Sequence, residues 1–321
     1  MKNNSGPVAV VALGGNAITR EFEEGNIAQQ FANTRRALVG VVDLVEHGYR
    51  LAITHGNGPQ VGNALIRVEA TRDLVPPIPL GVLVADLEGG MGYMIEQTMQ
   101  NKLADRGINR PVVTLLAQVL VDKDDPSIQN PTKYVGPFYK EKDIQRLKEE
   151  RGYSIKEDPG RGFRRVVPSP QPRKVIEAET IKQLVSQGVL VVTVGGGGIP
   201  VYYENGGYLE GVDAVIDKDK ASAVLAREIN AEMLFILTAV DKVALNYKKE
   251  NQVDLDRLTV SEAKQYLEEG QFPAGSMGPK IEAAVDFLQH GGQRVLICSV
   301  DRIREALRGE TGTLILPDPA V

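Results

Sequence analysis

The stretch Val189-Leu190-Val191-Val192-Thr193-Val194-Gly195-Gly196-Gly197-Gly198 decides how this chain folds. Its apolar and β-branched run predicts a buried strand, and the glycines that follow leave the strand end unobstructed by side chains. Glycine admits φ > 0 and close approach to a ligand, so successive N–H groups there can point at phosphate oxygens. Two further junctions have the same form. Residues 8–13 run into Gly14-Gly15-Asn16, and residues 51–54 run into His55-Gly56-Asn57-Gly58-Pro59. Any one strand can end in glycine for turn geometry alone, but three such junctions in one chain favour a polyanion site.

Outward from these junctions the hydrophobic period switches repeatedly between 2 and 3.6. Ile27, Phe31, Leu38, Val41, Val42 and Val45 fall mostly on one helical face, with Gly48 placed to close that helix. Pro59 stands where a first helical residue is tolerated, ahead of a helix over residues 61–70. Strands are predicted over residues 112–121, 189–194, 233–240 and 294–300, and helices over 178–186, 220–229 and 279–289. Thr259 and Glu262 match a capping box before a further short helix. This alternation predicts an α/β fold, a three-layer αβα sandwich whose mostly parallel sheet is covered on both faces. A length of 321 residues implies two lobes, 1–205 and 206–321.

Between residues 122 and 172 the sequence turns charged and rich in proline and glycine. Tyr134, Phe138, Tyr139, Tyr153 and Phe163 argue against disorder there, so a small folded excursion is expected, protruding either as a lid over substrate or as passive decoration. Apolar runs of about six residues fall far short of a bilayer span, and the N-terminus lacks a signal-peptide core, so a cytoplasmic location is expected. Net charge is −5 without a dense basic block, which disfavours nucleic acid as a partner, as the short apolar runs disfavour a membrane. The lone Cys298 lies in an apolar stretch and reads as a buried strand residue. His47, His55 and His290 form no metal-binding spacing; His47 and His290 precede capping glycines, and His55 opens a glycine loop.

No P-loop, dinucleotide fingerprint or nucleophile elbow occurs, so a phosphate site must be assembled from glycine loops and lysines. Three lysines stand in suggestive contexts. Lys218 lies in Asp217-Lys218-Asp219-Lys220, and Lys280 follows Gly275-Ser276-Met277-Gly278-Pro279, both at helix starts that favour anions; Lys133 sits in the excursion. A solvated surface lysine is the alternative at each position.

The chain resembles the carbamate kinases of the amino-acid kinase superfamily. The shared stretches are residues 10–17, 54–62, 129–133, 136–139, 195–201, 217–219 and 275–280, in order from one end to the other. The resemblance implies reversible transfer of a phosphoryl group, ATP and carbamate giving ADP and carbamoyl phosphate, with Mg²⁺ carried by the nucleotide and no protein-held metal. It also implies a homodimer, and often an ATP-forming direction in arginine breakdown. The 1–205 lobe would then bind the acceptor and 206–321 the nucleotide. By the same resemblance Gly14, Gly15 and Asn16, with Gly56, Asn57 and Gly58, face carbamate and the phosphoryl group; Lys133 and Lys218 hold its charge, and Asp219 orients the lysines. Lys280 and Met277 lie at the nucleotide, and Ala239, Val240 and Tyr247 line the adenine pocket. Gly195, Gly196 and Gly197 are expected at the transferring end of ATP.

One position departs from the wider superfamily. Many amino-acid kinases carry a lysine two residues before the first glycine pair, where this chain has Ala12, and Lys133 fits as its replacement. Carbamate is already an anion and needs no general base, in keeping with the lack of an obvious one. The rival readings are a kinase of another small carboxylate, and a catalytically silent nucleotide sensor.

Overall fold

A computed structural model of the chain describes residues 6–319 apart from 21, 159, 160 and 274; the side chain of Asn16 also lies outside the described residues. Its central sheet has eight strands in the order Arg257–Thr259, Thr313–Leu316, Arg294–Ser299, Met233–Thr238, Val8–Leu13, Arg50–His55, Leu190–Val192 and Val112–Thr114. Every neighbouring pair is parallel except Arg294–Ser299 with Thr313–Leu316.

Side-chain alternation along the central strands divides the core into two layers. Ala9, Val11, Leu13, Leu51 and Ile53 pack toward helices Ile27–Glu46 and Leu80–Asp105, whereas Val10 and Ala52 pack toward Ala178–Ser186, Lys218–Glu228 and Met277–Gln289. The sheet is therefore sandwiched as the alternation predicts. The helix ends obey local chemistry: Thr259 and Glu262 form the capping box, Gly48 takes φ +88 just beyond Ile27–Glu46, and Pro59 sits in the first turn of Gly58–Thr71.

Two expectations change. The strand expected over residues 112–121 is two strands, Val112–Thr114 in the main sheet and Gln118–Leu120 in a four-stranded second sheet with Ile199–Tyr203, Leu209–Gly211 and Lys174–Val175. The continuous apolar run conceals a change of sheet. The division at 205/206 falls inside the antiparallel pair Ile199–Tyr203 and Leu209–Gly211, so a boundary just before Asp217 keeps that hairpin whole.

The excursion is folded: strands Lys133–Tyr139, Gly162–Val167 and Ile155–Asp158 form an antiparallel sheet beside helix Glu141–Arg151. It is docked on Gly58–Thr71, where Glu69 accepts from the Tyr153 hydroxyl and pairs with Arg151, while the Arg165 guanidinium lies 4.3 Å from the Tyr153 ring centroid.

Candidate active site

The site forms where parallel strands end side by side. Gly14, at the end of Val8–Leu13, donates its N–H to the Leu237 carbonyl at 2.9 Å, and a Cβ at Gly14 would stand 2.8 Å from that oxygen. On the other flank the Gly56 N–H donates to Leu13 O at 3.0 Å, and a Cβ there would be 2.9 Å from Gly15 N and 3.4 Å from Lys218 Cδ. Side chains at either position would force the loops apart, so glycine lets them meet beside Lys218.

Helix Lys218–Glu228 delivers the charges. Asp217 caps it, its Oδ1 accepting from the N–H groups of Asp219 at 3.0 Å and Lys220 at 3.3 Å. The first turn then places Lys218 and Asp219 in the cleft. Asp219, only 3% exposed, accepts from Lys218 through Oδ1 and from Lys280 through Oδ2 at 2.8 Å. One carboxylate thus holds two ammonium groups from two helices. Burial alone would raise the Asp219 pKa, but both ammonium groups and their hydrogen bonds outweigh it and hold the carboxyl below its usual range. Burial pulls the Lys218 ammonium below its usual pKa; Asp219 opposes this and Lys280 adds to it. Lys133, at the root of the excursion, brings its Nζ to 3.9 Å from Asp217 Oδ2 and remains 43% exposed.

Beside this cluster lies a cavity of about 410 Å³, lined by Gly14, Gly15, Lys218, Asp219 and Lys280 and by Ala239, Val240, Tyr247 and Met277. The residues expected at adenine and those expected at the phosphates therefore share one pocket. Lys242 and Phe272 line it as well and carry no motif of their own. The same Gly/Pro framing that singles out Lys280 extends back through Pro273 to Phe272, so that residue was within reach of the sequence.

On the other flank Gly58 opens helix Gly58–Thr71, and Asn57, 3% exposed, keeps Nδ2 buried without a partner among the described residues. His55 is fully buried; burial chiefly, offset by the Gly56 carbonyl, lowers its pKa to about 4, so the ring is neutral at pH 7. Asn16 lies in the short helix Gly15–Ile18.

The glycine tetrad requires a correction. Gly195, Gly196 and Gly197 do not line the cavity. Gly195 N–H donates to Glu88, Gly197 N–H to Val194 O and Gly198 N–H to Gly195 O, so these amides are engaged within the protein. Close packing explains the glycines instead. A Cβ at Gly195 would lie 2.4 Å from His55 Nε2, one at Gly196 2.0 Å from Asn57 Nδ2, and one at Gly197 2.5 Å from Ile216 O. The tetrad is the floor beneath the His55–Asn57 loop. Gly196 also adopts φ +67, so Gly196→Ala should displace Asn57 and lower turnover by about tenfold or more. Steady-state kinetics check this, and an unchanged rate in a folded variant would remove the floor role.

Known proteins match the chain over nearly its whole length. The model of the amino acid kinase family matches residues 7–299. The chain is 48% identical over 310 residues to the carbamate kinase of Pyrococcus horikoshii, covering 96% of this chain and 98% of that one. It is 48% identical over 314 residues to the carbamate kinase of Pyrococcus furiosus, covering 97% and 100%. Among solved structures, carbamate kinase from Giardia lamblia bound to AMP-PNP superposes with a TM-score of 0.93 at 40% identity, over 98% of this chain and 100% of that one. The chain belongs to the amino acid kinase family, on its carbamate kinase branch.

Proposed function

We propose that this protein is a carbamate kinase that passes a phosphoryl group between carbamoyl phosphate and ADP. The observation that carries this reading is the buried Asp219, which fixes Lys218 and Lys280 beside the two glycine loops. Phosphoryl transfer demands positioning and charge stabilisation more than covalent help, and this cluster supplies both. Toward ATP, a terminal oxygen of ADP forms a bond to phosphorus as the phosphorus–oxygen bond to carbamate breaks. The electron pair leaves on the carbamate oxygen, and no protein group has to accept or donate a proton. Gly14, Gly15, Asn16, Gly56, Asn57 and Gly58 hold the acceptor side, Lys218 and Lys133 the group in flight, and Lys280, Met277, Ala239, Val240 and Tyr247 the nucleotide. Asp219 is the positioning residue for the lysines.

Among the described residues no group of three or more His, Cys, Asp or Glu stands close enough to cage a metal. The Mg²⁺ that neutralises nucleotide charge in such reactions would be held by phosphate oxygens and arrive with the nucleotide. A homodimer is part of the reading: Val82, Tyr93 and Leu116 are exposed on and beside helix Leu80–Asp105, apolar side chains that a second copy would cover. Cytoplasmic ATP formation at the end of arginine breakdown is the setting this reading carries with it.

Incubating the protein with carbamoyl phosphate, ADP and Mg²⁺ should yield ATP and carbamate. ADP binding without transfer would instead favour a nucleotide sensor, and transfer only from another acyl phosphate would favour a kinase of a different small carboxylate. Within the carbamate reading, Lys133→Ala should lower kcat by about 10²-fold, with ADP affinity by calorimetry little altered, because Lys133 reaches the site from the excursion rather than lining the nucleotide cavity. Full turnover would exclude it from the transfer step.

A further inference from the structure

Glu88 is the most deeply buried carboxyl among the described residues, at 0% exposure, and the transfer chemistry above makes no use of it. It projects from the inner side of helix Leu80–Asp105, where its neighbours along the helix are apolar: Val84, Met91, Ile95 and Met99. A carboxyl in such a place costs stability unless its oxygens are satisfied. Both are: Oε1 accepts the Gly195 N–H at 2.8 Å and Oε2 the Ala117 N–H at 3.3 Å.

These amides belong to the segments that follow Leu190–Val192 and Val112–Thr114, neighbouring strands of the main sheet, and the segments are joined further on by Ile199 N–H donating to Ala117 O at 2.8 Å. Glu88 thus ties two chain crossings together at the point where both leave the sheet. The tied segment is the glycine floor, whose Gly195 abuts His55 and whose Gly196 abuts Asn57. Small shifts of that floor pass directly to the acceptor loop, since the glycine backbone lies against the His55 ring and the Asn57 side-chain amide themselves.

We propose that Glu88 is a positioning residue for the acceptor half of the site, setting the height of the Gly195–Gly196 floor and through it the seat of Asn57, without touching substrate. The proposal rests on the carbamate kinase reading for the identity of the acceptor. Burial raises the Glu88 pKa to about 8, against the opposing pull of the backbone N–H groups that face it, those of Gly195 and Ala117 foremost. Glutamine is then a close mimic in shape but not in bonding: its amide can accept from only one of the two N–H groups, and its own N–H₂ confronts the other.

The test is steady-state kinetics of ADP phosphorylation by carbamoyl phosphate with Glu88→Gln and Glu88→Ala, beside ADP binding by calorimetry. The expected result is a KM for carbamoyl phosphate raised about tenfold in Glu88→Gln and further in Glu88→Ala, with the ADP dissociation constant within about twofold of wild type. Intact ADP binding shows that the variant is folded. Unchanged kinetics in both variants, or equal losses for carbamoyl phosphate and ADP, overturn the proposal; loss of folding in Glu88→Ala leaves Glu88→Gln to decide it. Wild-type protein that makes no ATP from carbamoyl phosphate would refute the carbamate reading instead, which separates the two failures.

Discussion

Replacing Lys218 with alanine is expected to lower kcat by about 10²- to 10³-fold while leaving ADP affinity within about threefold. The reactants are both anions, and unit charges ~4 Å apart repel by about 4 kcal/mol at an effective dielectric of 20. Lys218 lies where the Gly15 and Gly56 loops meet, its side chain only 11% exposed, so water cannot readily take over its charge. On the proposed function Lys280 remains for the nucleotide. Rapid-quench measurement of ATP formed on the enzyme isolates the transfer step; a variant that transfers at the wild-type rate would exclude Lys218 from it.

Asp219→Ala should be more damaging because it acts on stability and rate together. Removing the shared carboxylate leaves Lys218 and Lys280 facing each other as partly buried cations that have lost their common hydrogen-bonded anion, a loss of about 3–5 kcal/mol. Both lysines also lose the bond that aims them, so kcat should fall at least as far as in Lys218→Ala. Denaturant unfolding with a double variant tests the cause. If unpaired charge is responsible, adding Lys218→Ala to Asp219→Ala should restore part of the lost stability; simple additive loss would point to packing.

The pH dependence has a definite sign. The folded pKa of Asp219 is depressed below its ordinary 3.8, so its stabilising contribution is complete above that value and is lost as pH falls through the folded pKa. The stability gap between wild type and Asp219→Asn should therefore be wide at neutral pH and close in strong acid. Melting temperatures of the two proteins across that range provide the check.

Much of this architecture was legible because it follows from short-range chemistry. Thr259 and Glu262 mark a helix start by bonds within four residues, and Gly48 marks a helix end by its φ. The lysines could be found because Asp217 and the Gly275–Pro279 frame advertise helix starts. Helix Leu80–Asp105 escaped notice for the opposite reason. Gly81, Gly89, Gly90 and Gly92 interrupt its sequence, and its apolar residues spread around the axis, because it touches the sheet on one side and the segments after Val112–Thr114 and Leu190–Val192 on another. Gly92 is accepted there because a Cβ would fall 2.2 Å from Thr114 Cγ2. That partner is distant in sequence, and nothing local announces it. The glycine tetrad misled in the same way: its glycines answer to His55, Asn57 and Ile216, contacts that exist only once the chain is folded. Asp219 stood out in the sequence beside Lys218, but its grip on Lys280, 61 positions away, belongs to the packing of two helices.

Val8–Leu13 pairs in register with Arg50–His55 on one side and with Met233–Thr238 on the other. Neighbouring strands stand about 4.8 Å apart, a spacing set by backbone hydrogen bonds and indifferent to side chains. The loop that begins at Gly56 and the loop that borders the cavity after Thr238 therefore begin two such spacings apart, with Gly14 and Gly15 midway. The sheet works as a ruler: on the proposed function, the path of the phosphoryl group is graduated by peptide geometry, and side chains need only supply the charge along it.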